Sequence, residues 1–441
     1  MNREYRIVPV PGPVRPPGGG PAFRRAVSRW QILALSLNDV IGSGVYLLPA
    51  AAAAVLGPGS LWAVGAAGVA VFLIVLCFAE AASYFEEPGS AYLYTRTAFG
   101  ELVGFQVGWM AWLTRVAAAA SLSVGFAQAL TYLWPEAGGG WGRGLAIGLP
   151  LAALTAINVI GIRSGVRTAV AFVIAKLLPL GLFIVAGIGA VSWQTAVRQA
   201  PTEPGGLGGA ALLLLFAYAG FENTAASAGE YRDPRRDVPF ALVTQIALVT
   251  LLYGLVQFVA LGTLPGLGAS ETPLADASRL FLGNWAGTVL TLGAAVSILG
   301  TVSNSVLAGP RYLYALAADG YGPRFLAEIH PRFRTPAAAI LLQTAIALPL
   351  ALTGTFVSLA ALSVVTRLAT YLGTALAVPI LRRRFGPQPN AFRLPFGPLI
   401  PVAASVLSLG LAASAEPRNL YAAAIALAIG FAIWWQRRRP T

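Results

Sequence analysis

Apolar runs of about 20 residues, the length an α-helix needs to cross a bilayer core, recur almost without pause from Trp30 to Trp435. They lie at 30–56, 60–83, 97–133, 144–161, 167–191, 207–229, 239–263, 284–317, 336–353, 357–381, 396–414 and 417–436, and polar residues gather in the short intervals between them. The pattern predicts an all-α integral membrane chain of about 12 transmembrane helices. The third and eighth runs are longer than one crossing needs, so those helices should tilt or project beyond the bilayer.

Composition sharpens this reading. Of the 441 residues 57% are hydrophobic and only 11% are charged, with a mean hydropathy of +0.71; lipid, not water, is the expected solvent. A net charge of +13 could suggest nucleic acid, but its placement speaks for a membrane partner and no nucleic acid. With the N-terminus inside, 23 arginines fall in the segments on one side, whereas the other side holds Arg143, Arg198, Arg279 and Arg418. Cytoplasmic loops carry the excess of basic residues, so both termini are expected in the cytoplasm of a multi-pass cell-membrane protein, the inner membrane in a two-membrane cell. Losing one span would scramble this sorting.

Residues 1–29, rich in Pro, Gly and Arg, read as a disordered cytoplasmic tail, and 437–441 as a second, short one. The first apolar run is a full span preceded by arginines, which does not fit a cleavable signal. Cys77, the one cysteine, excludes an internal disulfide.

Two runs carry an interruption. In the first, Ile41-Gly42-Ser43-Gly44-Val45 places two glycines around a serine at mid-membrane, where helix is otherwise the only cheap backbone state. In the sixth, Phe216-Ala217-Tyr218-Ala219-Gly220-Phe221-Glu222-Asn223 places a glycine and a carboxylate at similar depth. Breaks five spans apart predict two inverted five-helix repeats, 30–191 and 207–384, followed by two further helices over 396–436. Small residues also let helices approach closely without any break, and for either site alone that reading stays open.

These residues resemble the amino acid-polyamine-organocation superfamily of permeases, over residues 30 to about 385. The resemblance rests on Gly42-Ser43-Gly44, on Phe216-Ala217-Tyr218-x-Gly220-Phe221-Glu222, and on Glu230 with Asp233-Pro234-Arg235-Arg236-Asp237-Val238-Pro239. Further pieces are Glu87-Pro88-Gly89-Ser90-Ala91-Tyr92, Arg311-Tyr312-Leu313-Tyr314 through Asp319-Gly320, and Thr335-Pro336. It implies a leucine-transporter-like fold of five plus five inverted helices with two C-terminal helices, helices 1 and 6 discontinuous, and a substrate at the midplane. The activity implied is secondary active transport of amino acids by alternating access, sodium-independent, as proton-coupled symport or as exchange. A polyamine or other organic-cation permease of the same fold is the alternative.

Where a helix stops, its last carbonyls and the next segment's first N–H groups are unpaired. N–H groups near Ile41, Ser43 and Gly44, with the positive end of a helix dipole, suit a substrate carboxylate. Carbonyls of Phe216, Ala217 and Ala219 suit its ammonium. The resemblance implies that Phe216 also covers bound substrate; ordinary packing is the other reading. Five ionisable groups lie within the spans, Asp39, Arg115, Lys176, Glu222 and Arg367, each costing roughly 2.5–3.5 kcal/mol at a helix centre on insertion scales. Arg115 and Asn304 match positions where relatives place groups beside the substrate's side chain. Arg115 could bind an acidic side chain bidentately or pair with Glu222; Arg367 and Asp39 read as structural or gate residues.

Lys176 is the one lysine in a chain with 29 arginines. Lysine, unlike arginine, releases its proton readily when buried. The resemblance places it where sodium-coupled relatives hold a sodium ion, reaching carbonyls before the break in span one and hydroxyls in span eight, with Thr301, Ser303 and Ser305 as candidates. It would substitute for the cation or carry the proton, a role Glu222 could share; a purely structural ammonium is the remaining reading. Catalysis is not expected, because the one histidine, His330, lies in a loop and the cysteine is isolated. Neither a metal nor a cofactor is called for, and no ring of charge suggests a channel.

Overall fold

The computed structural model describes residues 27–86, 89–160, 166–194, 204–388 and 391–437. The expected tail up to residue 26, Glu87-Pro88, Arg163, Arg198 and residues 438–441 lie outside them. The described residues are helical throughout, apart from connecting turns and one isolated bridge between Val27 and Tyr231. In chain order the α-helices are α1 (Arg29–Val40), α2 (Gly44–Leu56), α3 (Ser60–Ser83), α4 (Ser90–Phe99), α5 (Glu101–Leu130), α6 (Gly140–Ile160), α7 (Val166–Ile188) and α8 (Pro204–Tyr218). They continue with α9 (Pro234–Thr263), α10 (Pro273–Leu282), α11 (Asn284–Ala318), α12 (Ala337–Thr353), α13 (Phe356–Phe385), α14 (Leu399–Ala413) and α15 (Pro417–Arg437).

Helix lies in every one of the twelve expected segments, yet only eight stretches among the described residues are long and apolar enough to cross a membrane by length and composition. The difference has two causes. The first expected span is two half-helices, α1 and α2, and α2 runs on through a 3-10 turn at Gly57–Gly59 into α3. The described part of α7 (Val173–Ile188), α12 and α14 are apolar but shorter.

Local chemistry sets several ends. α1 starts at Ser28, whose side chain and backbone N–H engage Gln31 in a capping box (Ser28 N to Oε1, 2.9 Å). α13 starts in the same way, with Thr355 Oγ1 accepting from Ser358 N at 3.2 Å, and ends in Arg382, Arg383 and Arg384, whose charges complement the negative end of the helix dipole.

Burial places α5 at the centre. In its apolar window 89% of residues are buried inside the protein, against 28% for α6 and 22% for α15, so α6 and α15 face outward. α5 packs against α11 and α13, and α3 against α9. A helix enclosed by protein can hold an arginine that a lipid-facing helix cannot, and Arg115 sits on this one.

At the ends of α3 and α13, Glu80 is fully buried and held by Arg382, Nε to Oε1 at 2.5 Å and Nη2 to Oε2 at 2.7 Å. Tyr84 Oη and the Leu394 N–H donate to the same carboxylate at 3.0 and 2.8 Å. Four donors on one carboxylate compensate its burial and tie the turn after α13 to α3.

Candidate functional site

Both expected interruptions are real breaks in the backbone. α1 stops at Val40, residues 41–43 form bends, and α2 begins at Gly44. α8 stops at Tyr218 and the chain resumes at Phe221 as a 3-10 helix, Phe221–Glu230. Gly220 makes the second break possible. Its φ of +124° is a region that side chains rarely adopt, and a Cβ there would stand 2.6 Å from the Asp39 carbonyl oxygen. The two breaks therefore touch. Gly44 serves the same contact: a Cβ on it would lie 2.5 Å from both Cα and Cβ of Ala217. The close-approach reading of these glycines and the broken-helix reading hold together. Tyr253 of α9 joins the breaks, with its hydroxyl 2.9 Å from the Ala217 carbonyl and 3.2 Å from that of Val40.

Between the breaks lies a cavity with about 30 Å³ of free space, on the scale of a water or two. Of the residues expected at a binding site, Ser43, Gly44, Arg115, Phe216, Ala219 and Asn304 line it. Asp39, Thr301 and Arg367 line it as well. Phe216 is backed by Phe356, whose ring meets it edge-on at 5.9 Å. Ser43 Oγ is buried and has no partner among the described residues.

Ile41, Ala217, Glu222 and Lys176 stand behind the cavity wall rather than on it. The Ala217 carbonyl is engaged by Tyr253 and the Phe216 carbonyl accepts the Ala219 N–H at 3.2 Å. Glu222 is clamped. Its Oε1 lies 3.2 Å from Nη2 of Arg115 and 3.1 Å from Nε of Arg367, and its Oε2 accepts the Gly220 N–H at 3.0 Å. Arg115 also donates to Asn223 Oδ1, and Ser90 Oγ donates to the Glu222 carbonyl at 2.7 Å. Of the two partners open to Arg115, Glu222 is thus the one it touches. Arg367 of α13, expected only as a structural or gate residue, both joins this clamp and faces the cavity.

Lys176 of α7 is fully buried, and Nζ donates to the carbonyls of Asn38 at 2.8 Å and Ile41 at 2.9 Å, the last turn of α1 before its break. Ser297 Oγ reaches the same Ile41 carbonyl at 3.1 Å. The α11 hydroxyl at this junction is therefore Ser297, about one turn before Thr301; Thr301 instead donates to the Ser297 carbonyl and, with Ser305, lines the cavity. Tyr46 of α2 closes the group by donating to the Lys176 carbonyl at 3.2 Å. Sequence signals for Tyr46, Tyr253 and Ser297 are weak, since a hydroxyl in a span is common and only its neighbours give it a role. Among the described residues no group of three or more His, Cys, Asp or Glu could hold a metal ion.

An all-helical chain with several membrane-length apolar helices, two of its helices broken where they meet around a buried polar cavity, has the form of a multi-pass membrane transporter. The chain belongs to the amino acid permease family, whose pattern it matches over residues 27–434. It is 30% identical over 419 residues to the serine/threonine exchanger SteT of Bacillus subtilis, covering 91% of this chain and 93% of that one. The branched-chain amino acid permease BcaP of the same organism is 27% identical over 428 residues (89% and 88%), and its methylthioribose transporter 28% identical over 407 residues (88% of each).

Proposed function

We propose that this protein is a secondary active transporter of amino acids in the cell membrane, working by alternating access without sodium, as a proton-coupled symporter or an exchanger, with both termini cytoplasmic. The observation that carries this reading is Lys176: a fixed ammonium already occupies the carbonyl oxygens where α1 breaks, so a coupling cation has no vacancy to fill there. The two breaks supply what an α-amino acid needs. Free N–H groups at the start of α2 suit its carboxylate, and the carbonyl of Ala219, a cavity-wall residue just after α8, suits its ammonium. A substrate is larger than the present free space, so binding requires the helices around the cavity to part, as alternation between access states demands.

For the proton, Lys176 is the better carrier of the two expected. Glu222 accepts from Arg115 and a backbone N–H and lies in ion-pair distance of Arg367, contacts that protonation would weaken, whereas Lys176 has two acceptors to release. The polyamine alternative is disfavoured by Arg115 and Arg367 on the cavity wall, since two guanidiniums repel a dication.

The test is uptake of radiolabelled amino acids into proteoliposomes of the purified protein. Equal rates in sodium and choline media and faster uptake under an inward proton gradient support symport. Equal rates in both media with dependence on internal substrate support exchange. Sodium-driven accumulation, or transport of putrescine but of no amino acid, would overturn the reading.

A further inference from the structure

The fixed charges around the cavity do not balance. Arg115, Arg367 and Lys176 stand against two carboxylates, Asp39 and Glu222. Asp39 shares α1 with the carbonyl that Lys176 bonds at Asn38, and it lines the cavity together with Asn304 and the two arginines. One positive charge is left over, and among the described residues the one ion pair within 4 Å that either arginine makes is to Glu222. Both converge on one oxygen of Glu222 at 3.2 and 3.1 Å, and a single carboxylate neutralises only one of them.

Arg367 shows the deficit directly. The residue is 2% exposed, and neither its Nε nor its Nη1 has an aligned acceptor among the described residues; the contact of Nε with Glu222 is one of charge, not of a directed hydrogen bond. It lines the cavity together with Arg115 and the unpartnered Ser43. Guanidinium donors left unpaired at such depth are costly unless something completes them. A group entering this space with a planar pair of acceptors and one negative charge would do so. The common part of an α-amino acid cannot supply that charge, because its carboxylate and ammonium cancel and are met by the helix ends.

The geometry points to a substrate whose side chain carries a carboxylate, an acidic amino acid held through that group by Arg367 with Arg115 beside it. This rests on the amino acid transport proposed above and narrows it. Arg367 reads the side chain, and Glu222 holds the second arginine in place.

The experiment compares acids with their amides, which differ by one charge at nearly equal volume. Purified full-length protein is titrated with L-aspartate, L-glutamate, L-asparagine, L-glutamine, L-serine and putrescine, and binding is read from thermal stabilisation and from competition with radiolabelled L-glutamate or L-aspartate in proteoliposomes. At least one acid should act at a concentration about tenfold or more below that of its amide, and Arg367→Gln should remove most of that ratio. If Arg367→Gln does not fold, the wild-type ratio decides alone. Amides or serine binding as well as the acids, or a ratio unchanged in Arg367→Gln, would overturn the assignment and leave amino acid transport standing. Binding of none of the five amino acids would likewise overturn the assignment alone, whereas stabilisation by putrescine together with no uptake of any amino acid would overturn both.

Discussion

Replacing Lys176 tests the junction of α1, α7 and α11 most sharply. Two variants separate the ammonium from the volume it fills: Lys176→Met keeps most of the side chain and removes the charge, whereas Lys176→Ala removes both. In the wild type Nζ makes two charge-assisted bonds, 2.8 Å to the Asn38 carbonyl and 2.9 Å to that of Ile41, each worth about 1.5–3 kcal/mol. Removing the ammonium also removes its own desolvation penalty, and the Ile41 carbonyl keeps Ser297 Oγ at 3.1 Å. The loss is therefore less than the sum of the two bonds, about 2–4 kcal/mol for Lys176→Met. Lys176→Ala should lose a further ~1–2 kcal/mol for the cavity it leaves, because the site is fully buried and cannot refill from solvent. Lys176→Arg should not rescue either one, since a planar guanidinium does not fit the space of a compact ammonium. Melting of the detergent-purified protein, followed by size-exclusion fluorescence, ranks the three, and proteoliposome uptake with and without a proton gradient reads function. A Lys176→Met protein with wild-type melting and a wild-type proton response would refute the argument that this ammonium holds the end of α1.

Three further changes address the contact between the breaks and the buried acid at the end of α3. Gly44→Ala should destabilise by about 1–3 kcal/mol and weaken substrate binding; adding Ala217→Gly should restore only part, because the Ala217 Cα would remain 2.5 Å from the new methyl, as paired melting and binding curves would show. Tyr253→Phe removes the hydroxyl within reach of both the Val40 and Ala217 carbonyls, and should cost about 1–2 kcal/mol and slow uptake, measured as the initial rate. Glu80→Ala strands Arg382 with its partner gone and should cost about 3–5 kcal/mol in melting while leaving the order of preferred substrates in a competition panel unchanged.

The membrane class, the helical segments and the places where two of them break are determined by the sequence alone. Each follows from a property the chain carries locally: hydropathy summed over some 20 residues, or glycines at Gly42, Gly44 and Gly220 where helix propensity fails. The presence of Lys176, Arg115 and Glu222 inside spans is legible in the same way, because a charge in an apolar run is costly wherever its partner lies. Which partner it finds is a different matter. That Arg367 shares Glu222 with Arg115, that Ser297 rather than Thr301 meets the Ile41 carbonyl, and that Gly44 is required by Ala217 depend on how α2, α5, α8, α11 and α13 are rotated and stacked, and residues far apart in the chain set those rotations together. A helix presents a new face every hundred degrees or so; only the packed structure decides which face each one turns to the cavity, and with it whether an arginine is neutralised or left waiting for a ligand.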